Sequence, residues 1–149
     1  MTEKQPVMDR LQPVRELDME SLKALSHPLR VQIFDALSVY GAATASGLAE
    51  RLGESSGATS YHLRQLEKHG FVREEQGRGT GRERWWERVP GSINIGGAGV
   101  ERTPAGRMAS QLIVRELRTS QQRLLNDYTD RGADELSAEW YESGELTST

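Results

Sequence analysis

Thr44-Ala-Ser-Gly-Leu-Ala-Glu-Arg-Leu-Gly-Glu-Ser-Ser-Gly-Ala-Thr-Ser-Tyr-His-Leu-Arg-Gln-Leu-Glu-Lys-His-Gly70 contains two short helices and little else. The first spans Ala45 to Leu52, with Thr44 placed as its N-cap and Gly53 just past its end, where a left-handed residue is wanted. Its apolar face is Leu48, Ala49 and Leu52. The second runs from about Gly57 to His69, is opened by Ser55 or Ser56, and is closed by Gly70. Only Gly53, Glu54 and the Ser pair separate them, and a turn this short that contains Gly is the connection of a helix-turn-helix.

Downstream the hydrophobic period changes from helical to extended. Phe71-Val-Arg-Glu-Glu75 and Arg82-Glu-Arg-Trp-Trp-Glu-Arg-Val89 flank the glycine-rich tip Gln76-Gly-Arg-Gly-Thr-Gly81, which predicts a β-hairpin. Trp85 and Trp86 point to opposite faces of a regular strand, so one should anchor the hairpin to the core. Upstream, Met19, Leu22 and Leu25 at helical spacing predict a first helix over Asp18 to about Ser26. Pro28 suits the first turn of the next, whose stripe is Leu29, Ile33, Phe34 and Leu37 before Gly41. Three helices thus precede a fourth that is followed by a wing. The predicted fold class is mainly α with a small β-hairpin wing (α+β): a winged helix-turn-helix plus a long C-terminal helix.

That last helix is read over 103–131, with Pro104 near its start and Met108, Leu112, Ile113, Leu117, Leu124, Leu125 and Tyr128 recurring at helical intervals. A helix with its own apolar stripe needs a surface to cover it. A second copy of the chain is the simplest one, which makes Met108, Leu112, Leu117, Leu124 and Tyr128 the dimerisation residues; the alternative is that the helix folds back on the first helix. The remaining segments are a flexible arm over 1–17, the winged helix-turn-helix domain over 18–89, a Gly-rich linker over 90–102 in which Ser92-Ile-Asn-Ile95 could add a short strand, and an acidic tail over 132–149 carrying Trp140 and Tyr141 in a short docked turn or helix.

With 149 residues and about a third of them apolar, the chain supports one ordinary domain with extra surface to bury. No apolar run approaches the roughly 20 residues of a membrane span, and the N-terminus lacks a signal-peptide pattern, so the expected location is the cytoplasm, associated with the nucleoid, with no membrane partner. Cysteine is absent, which removes thiolate metal sites and cysteine nucleophiles. With only His27, His62 and His69 a zinc centre would need carboxylates, so neither metal nor cofactor is expected. The net charge is −3, but it is unevenly spread. Ser56 to Arg88 carries seven Lys or Arg against five Glu, whereas Asp127 to Thr149 carries one Arg against seven acids. Local fields decide groove binding, so the acidic end should face away from DNA. Catalysis finds no foothold: Gly77-Arg-Gly-Thr-Gly81 lacks the Gly-Lys-Ser/Thr of a P-loop, and no Gly-x-Ser-x-Gly elbow occurs. The chain is not expected to be an enzyme.

On the second helix of the pair, Thr59, Leu63 and Leu66 form the core stripe, while Ser56, Ser60, Tyr61 and Arg64 point elsewhere. Arg64 can make bidentate contact with a guanine edge, Ser60 can serve base or phosphate, Ser56 at the helix start suits a phosphate, and Tyr61 suits a thymine methyl or a phosphate. His62 is either a packed histidine with one ring nitrogen satisfied, the favoured reading, or a further phosphate contact. In the wing, Arg78, Arg82 and Arg84 surround glycines that let backbone approach a phosphate or a narrow groove. His27 reads as a cap or packing residue, and His69 as a dipole partner at a helix C-terminus.

The segments Leu22-Lys-Ala-Leu-Ser-His-Pro-Leu-Arg-Val-Gln-Ile-Phe-Asp-Ala-Leu37, Ala45-Ser-Gly-Leu-Ala-Glu-Arg-Leu52 and Ser60-Tyr-His-Leu-Arg-Gln-Leu-Glu-Lys-His-Gly-Phe-Val72 closely resemble the ArsR-like winged-helix transcriptional regulators of bacteria. The resemblance covers about Asp18 to Val89. It implies a homodimeric, repressor-type regulator of double-stranded DNA with a palindromic operator, helix 57–69 in the major groove, wing 76–84 on the backbone or minor groove, and the terminal helix as dimer interface. The chain departs from the metal-sensing members in lacking their cysteine motif, which leaves the signal open. A small-molecule effector of unknown identity could enter between the first helix, the terminal helix and one Trp. The competing reading is a winged helix used for protein interaction without specific DNA binding.

Overall fold

The computed structural model describes residues 14–77, 83–97 and 99–147; in its last helix, side chains are described up to residue 130, Leu124 excepted. The element order is β1 (Val14–Glu16), α1 (Met19–Leu25), α2 (Pro28–Tyr40), β2 (Ala43–Thr44), α3 (Ala45–Leu52), α4 (Ser56–Lys68), β3 (Val72–Glu74), β4 (Trp85–Arg88), β5 (Ser92–Asn94), a 3-10 turn (Val100–Arg102) and α5 (Pro104–Thr147). The chain divides into two compact units, one up to Leu117 and one from Arg118.

The helix boundaries lie where local chemistry puts them. Asp18 caps α1 by accepting from the Ser21 amide at 2.9 Å, which together with the Ser21 hydroxyl holds its carboxyl below the usual range. Pro28 opens α2, and the His27 ring accepts from the Leu29 amide. Thr44 caps α3 through the Gly47 amide, and Gly53 ends it with φ 69°, in the left-handed region that glycine enters without a steric penalty. Ser55 caps α4 through the Ala58 amide at 3.1 Å, so Ser56 is the first helical residue.

The core of the first unit gathers the predicted stripes into one cluster. Leu22, Leu25, Ile33, Leu48, Leu63, Leu66 and Phe71 are buried in it, and Ala109 and Ile113 bring the first turns of α5 onto the same cluster. Gln32 of α2 donates to Glu116 of α5 at 2.8 Å, tying the same two elements at the edge of the cluster. The hairpin pairs Val72 with Arg88 and Glu74 with Trp86, and β2 adds Ala43 opposite Trp86, giving the order β2-β4-β3. Trp86 is buried and Trp85 half-buried, the split that alternating strand faces require.

Three expectations are corrected. The expected arm over 1–17 ends in structure: Val14–Glu16 pair in parallel with Ser92–Asn94, and Leu17 is fully buried. The part of that arm before residue 14 lies outside the described residues. The expected linker over 90–102 supplies this partner strand and the 3-10 turn. β5 falls where Ser92-Ile-Asn-Ile95 offers a short strand, whereas β1 gives no such sign; each is three residues long and pairs with the other. Finally, α5 does not end near 131 but continues to Thr147, through the segment read as an acidic tail. That segment carries four Glu, two Ala and two Leu and contains no Pro, and its two glycines weaken a helix without breaking it. In the second unit Gln122 donates to Asn126 one turn on at 3.1 Å, and Leu125 and Tyr128 are exposed.

The start of α5 depends on one glycine. Thr103 Oγ donates to the Val100 carbonyl and accepts from the Gly106 amide, both at 3.0 Å, closing the 3-10 turn against the helix. A Cβ on Gly106 would fall on the Val100 carbonyl oxygen. Gly106→Ala is therefore expected to lower stability by about 1–3 kcal/mol through overpacking, seen as a lower urea midpoint. An unchanged midpoint would show that the turn shifts at no cost.

Candidate nucleic-acid interface

α4 is held by one face and open on the other. Thr59, Leu63 and Leu66 are fully buried, and the Thr59 hydroxyl is satisfied by the Ser55 carbonyl at 2.9 Å. Ser56, Tyr61 and Arg64 are exposed, and Ser60 is half-buried. The open face does not stand alone. Ser56, Ser60 and Arg64 line a cleft of about 320 Å³ together with Arg84 and Glu83 from the wing and Thr44, Ala45 and Ser46 from the start of α3. The buried Trp86, which anchors β4, also lines it.

Of the residues singled out from sequence, the cleft brings together Ser56, Ser60, Arg64 and Arg84. Arg84 is half-engaged already, its Nε 3.5 Å from Glu74 on the neighbouring strand. Arg78 and Arg82 lie outside the described residues. Tyr61 is 55% exposed but off the cleft, on the next face of the helix. Ser46 was not anticipated; the signal was available, since it sits in the first turn of a helix that Thr44 caps.

His62 belongs elsewhere. Arg30 Nε donates to its Nδ1 at 3.1 Å, its ring lies 4.5 Å from that of His27, and Arg30 also donates to the Ala24 carbonyl at 2.8 Å. This makes His62 an internal acceptor joining α4 to α2, and it is withdrawn from the groove-facing set. Burial, then the charges of His27 and Arg30, push His62 below its ordinary value against an opposing pull from Glu54; burial and Arg30 do the same to His27. Both rings thus take up a proton less readily in the fold than in the unfolded chain. Their contribution to stability is present above about pH 6.5 and is lost as pH falls through that value toward the lowered folded ones. The urea midpoint is expected to drop between pH 7.5 and 5.5, and to drop less in His62→Gln, which keeps an acceptor for Arg30 but does not titrate. Equal losses in both proteins would remove His62 from this role.

Arg15 holds the other end of α4. Its Nη2 donates to the His69 carbonyl at 2.7 Å and to Ser21 Oγ at 3.1 Å, so a cation caps the helix where the last carbonyls are unsatisfied. Sequence reasoning placed it in the arm, and nothing within its own neighbourhood marks it out.

Residues 25–75 match a protein family described as a helix-turn-helix domain. That span takes in α2, β2, α3, the turn, α4 and β3, and the hairpin completes it. The chain carries a winged helix-turn-helix domain. The segments that resemble ArsR-like regulators coincide with this domain over most of their length. No curated protein sequence matches the chain. Among solved structures, reduced HlyU from Vibrio cholerae N16961 is 24% identical, covering 61% of this chain and 79% of its own, with a TM-score of 0.40. An ArsR family transcriptional regulator is 23% identical over 72% of this chain and 89% of its own, with a TM-score of 0.40. The AntR antimony-specific transcriptional repressor is 19% identical over 68% of this chain and 78% of its own, with a TM-score of 0.43. Among the described residues of the winged helix-turn-helix chain, no helix is long and apolar enough to cross a membrane.

Proposed function

We propose that this chain is a sequence-specific, DNA-binding transcriptional regulator of the ArsR-like kind, a repressor that acts in the cytoplasm as a homodimer on a palindromic operator. The observation that carries the reading is the shared cleft. The open face of α4 presents Ser56, Ser60 and Arg64 beside Arg84 of the wing, while the opposite face of the same helix is locked into the core. In this reading α4 enters the major groove, Arg64 reads a base edge, Ser56 and Ser60 position the helix on phosphates, and the wing 76–84, with Arg78, Arg82 and Arg84, follows the backbone or minor groove.

The dimer is built by the terminal helix. Met108 is 70% exposed and Tyr128 77%, leaving both side chains free to meet a partner surface. Leu112 is half-buried, and Leu117 packs on its own chain's core, so it supports the interface from behind. Leu124, the remaining member of the set, has its side chain outside the described residues. Two α4 helices related by a two-fold axis would meet half-sites about 34 Å apart.

Selection of bound sequences from a random DNA pool at near-physiological salt, with the bound species sized in parallel, tests this. An enriched inverted repeat bound by a dimer is expected, with an affinity whose salt slope falls when Arg78 or Arg82 is replaced by Ala. A salt-insensitive protein that enriches no sequence would overturn it in favour of a protein-interaction module.

A further inference from the structure

A second concavity, of about 310 Å³, lies between β1, the residues after α4 and the residues after β4. Its volume is at the low end of the range for small-molecule sites. Val14, Phe34, Phe71, Val89, Pro90 and Ile93 make it mostly apolar, and among the described residues Arg15 is the one charged side chain lining it. Phe34 and Phe71 meet edge to face with centroids 5.8 Å apart. The Arg15 guanidinium lies 4.6 Å over the Phe71 ring and the Arg88 guanidinium 4.6 Å over the Phe34 ring. Arg88 Nε is buried with no hydrogen-bond acceptor among the described residues. The two aromatic walls are therefore each backed by a cation, and among the described residues no acid lines the space between them.

Arg15 shares its charge with Asp18, whose carboxyl it helps the Ser21 hydrogen bonds hold down, but no carboxylate among the described residues lines the pocket. An apolar pocket with a guanidinium in its wall selects a ligand that carries an apolar body and one anionic group. We propose that this pocket binds a small apolar monocarboxylate, its hydrocarbon part against Phe34, Phe71 and Ile93 and its carboxylate on Arg15. A guanidinium has five N–H donors, and the bonds to His69 and Ser21 use only Nη2, so Nη1 and Nε can serve the ligand. The site differs from the one expected beside a Trp: neither Trp85 nor Trp86 lines it.

The position of the pocket gives the ligand a consequence. Gly70 and Phe71 continue directly from α4, and Val89 to Ser92 directly from β4, so both elements of the cleft end in the pocket wall. Arg15 links the ligand to the last carbonyl of α4. Binding would change how that helix end is held and so alter DNA affinity. This consequence rests on the DNA-binding reading; binding of the carboxylate does not.

The full chain, labelled with nitrogen-15, is titrated with 2-naphthoate and with its neutral isostere 2-naphthamide, without DNA. Saturable shifts of the Phe71, Gly91 and Ile93 amides are expected, with naphthoate binding about tenfold tighter than the amide. Arg15→Gln should abolish that difference. Because Arg15 also caps α4, Ile93→Trp provides an independent variant that fills the pocket and leaves Arg15 in place; it should abolish binding of both probes. Absence of saturable shifts at these amides, equal affinity for the two probes, or unchanged naphthoate affinity in Ile93→Trp would overturn the proposal. DNA affinity is measured separately on the selected operator, so loss of either activity is read without the other.

Discussion

Arg64→Ala is expected to weaken binding to the selected operator by about 1–3 kcal/mol, roughly 5- to 150-fold, while affinity for unrelated DNA changes much less. The reasoning is geometric. Arg64 is exposed, lies on the face of α4 opposite the core stripe, and lines the cleft with Ser56, Ser60 and the wing. Its planar fork can meet two acceptors on a guanine edge at once, which a phosphate-seeking cation does not need. Stability should stay within about 0.5 kcal/mol, because the substitution removes no buried contact. Titration of the variant against operator and scrambled duplexes, with urea melts alongside, checks both halves. Unchanged operator affinity would show that Arg64 does not read a base.

Leu63→Ala, one residue earlier in the chain, should do the reverse. Leu63 is fully buried, and its side chain helps dock α4 in the core cluster of the first unit. Truncation of a buried Leu costs about 2–5 kcal/mol, the lost transfer energy plus the cavity left behind. Against a total stability of about 5–15 kcal/mol that is a large fraction, and partial unfolding at ordinary temperature is within reach. Urea melts monitored by circular dichroism measure the loss, and a cost below about 1 kcal/mol would mean that the core closes over the gap. At low temperature, where the variant is folded, its intrinsic operator affinity should approach that of the parent. The pair separates reading from holding within one turn of one helix.

The elements that sequence reasoning found share a physical property: each is specified by residues within about a dozen positions. Thr44 finds its amide three residues on, Gly53 ends a helix by its own left-handed φ, and Thr59, Leu63 and Leu66 share a face because of the helical period. The same locality explains the misses. Val14–Glu16 have no strand signal that outweighs Pro13 and the polar residues around them, and their partner, Ser92–Asn94, is 78 residues away. Sequence favours a packed His62 over a groove contact, though helical spacing places it between the two faces, and it is Arg30, on another helix, that supplies the partner for the packed role. The long reach of α5 was missed for a different reason: an acidic composition suggests solvation but says nothing against helix.

What the sequence determined by itself is therefore the set of elements from α1 to β4 other than the two-residue β2, the caps of its helices, and the buried and open faces of α4, since backbone preference and side-chain period act at short range. Tertiary structure decided the rest. It joined β1 to β5, set Arg15 on the end of α4, required glycine where α5 meets the 3-10 turn, and drew Arg64, Ser46 and Arg84 to one cleft. Those arrangements depend on residues far apart in the chain. Their loop-closure cost is offset only when the whole core forms.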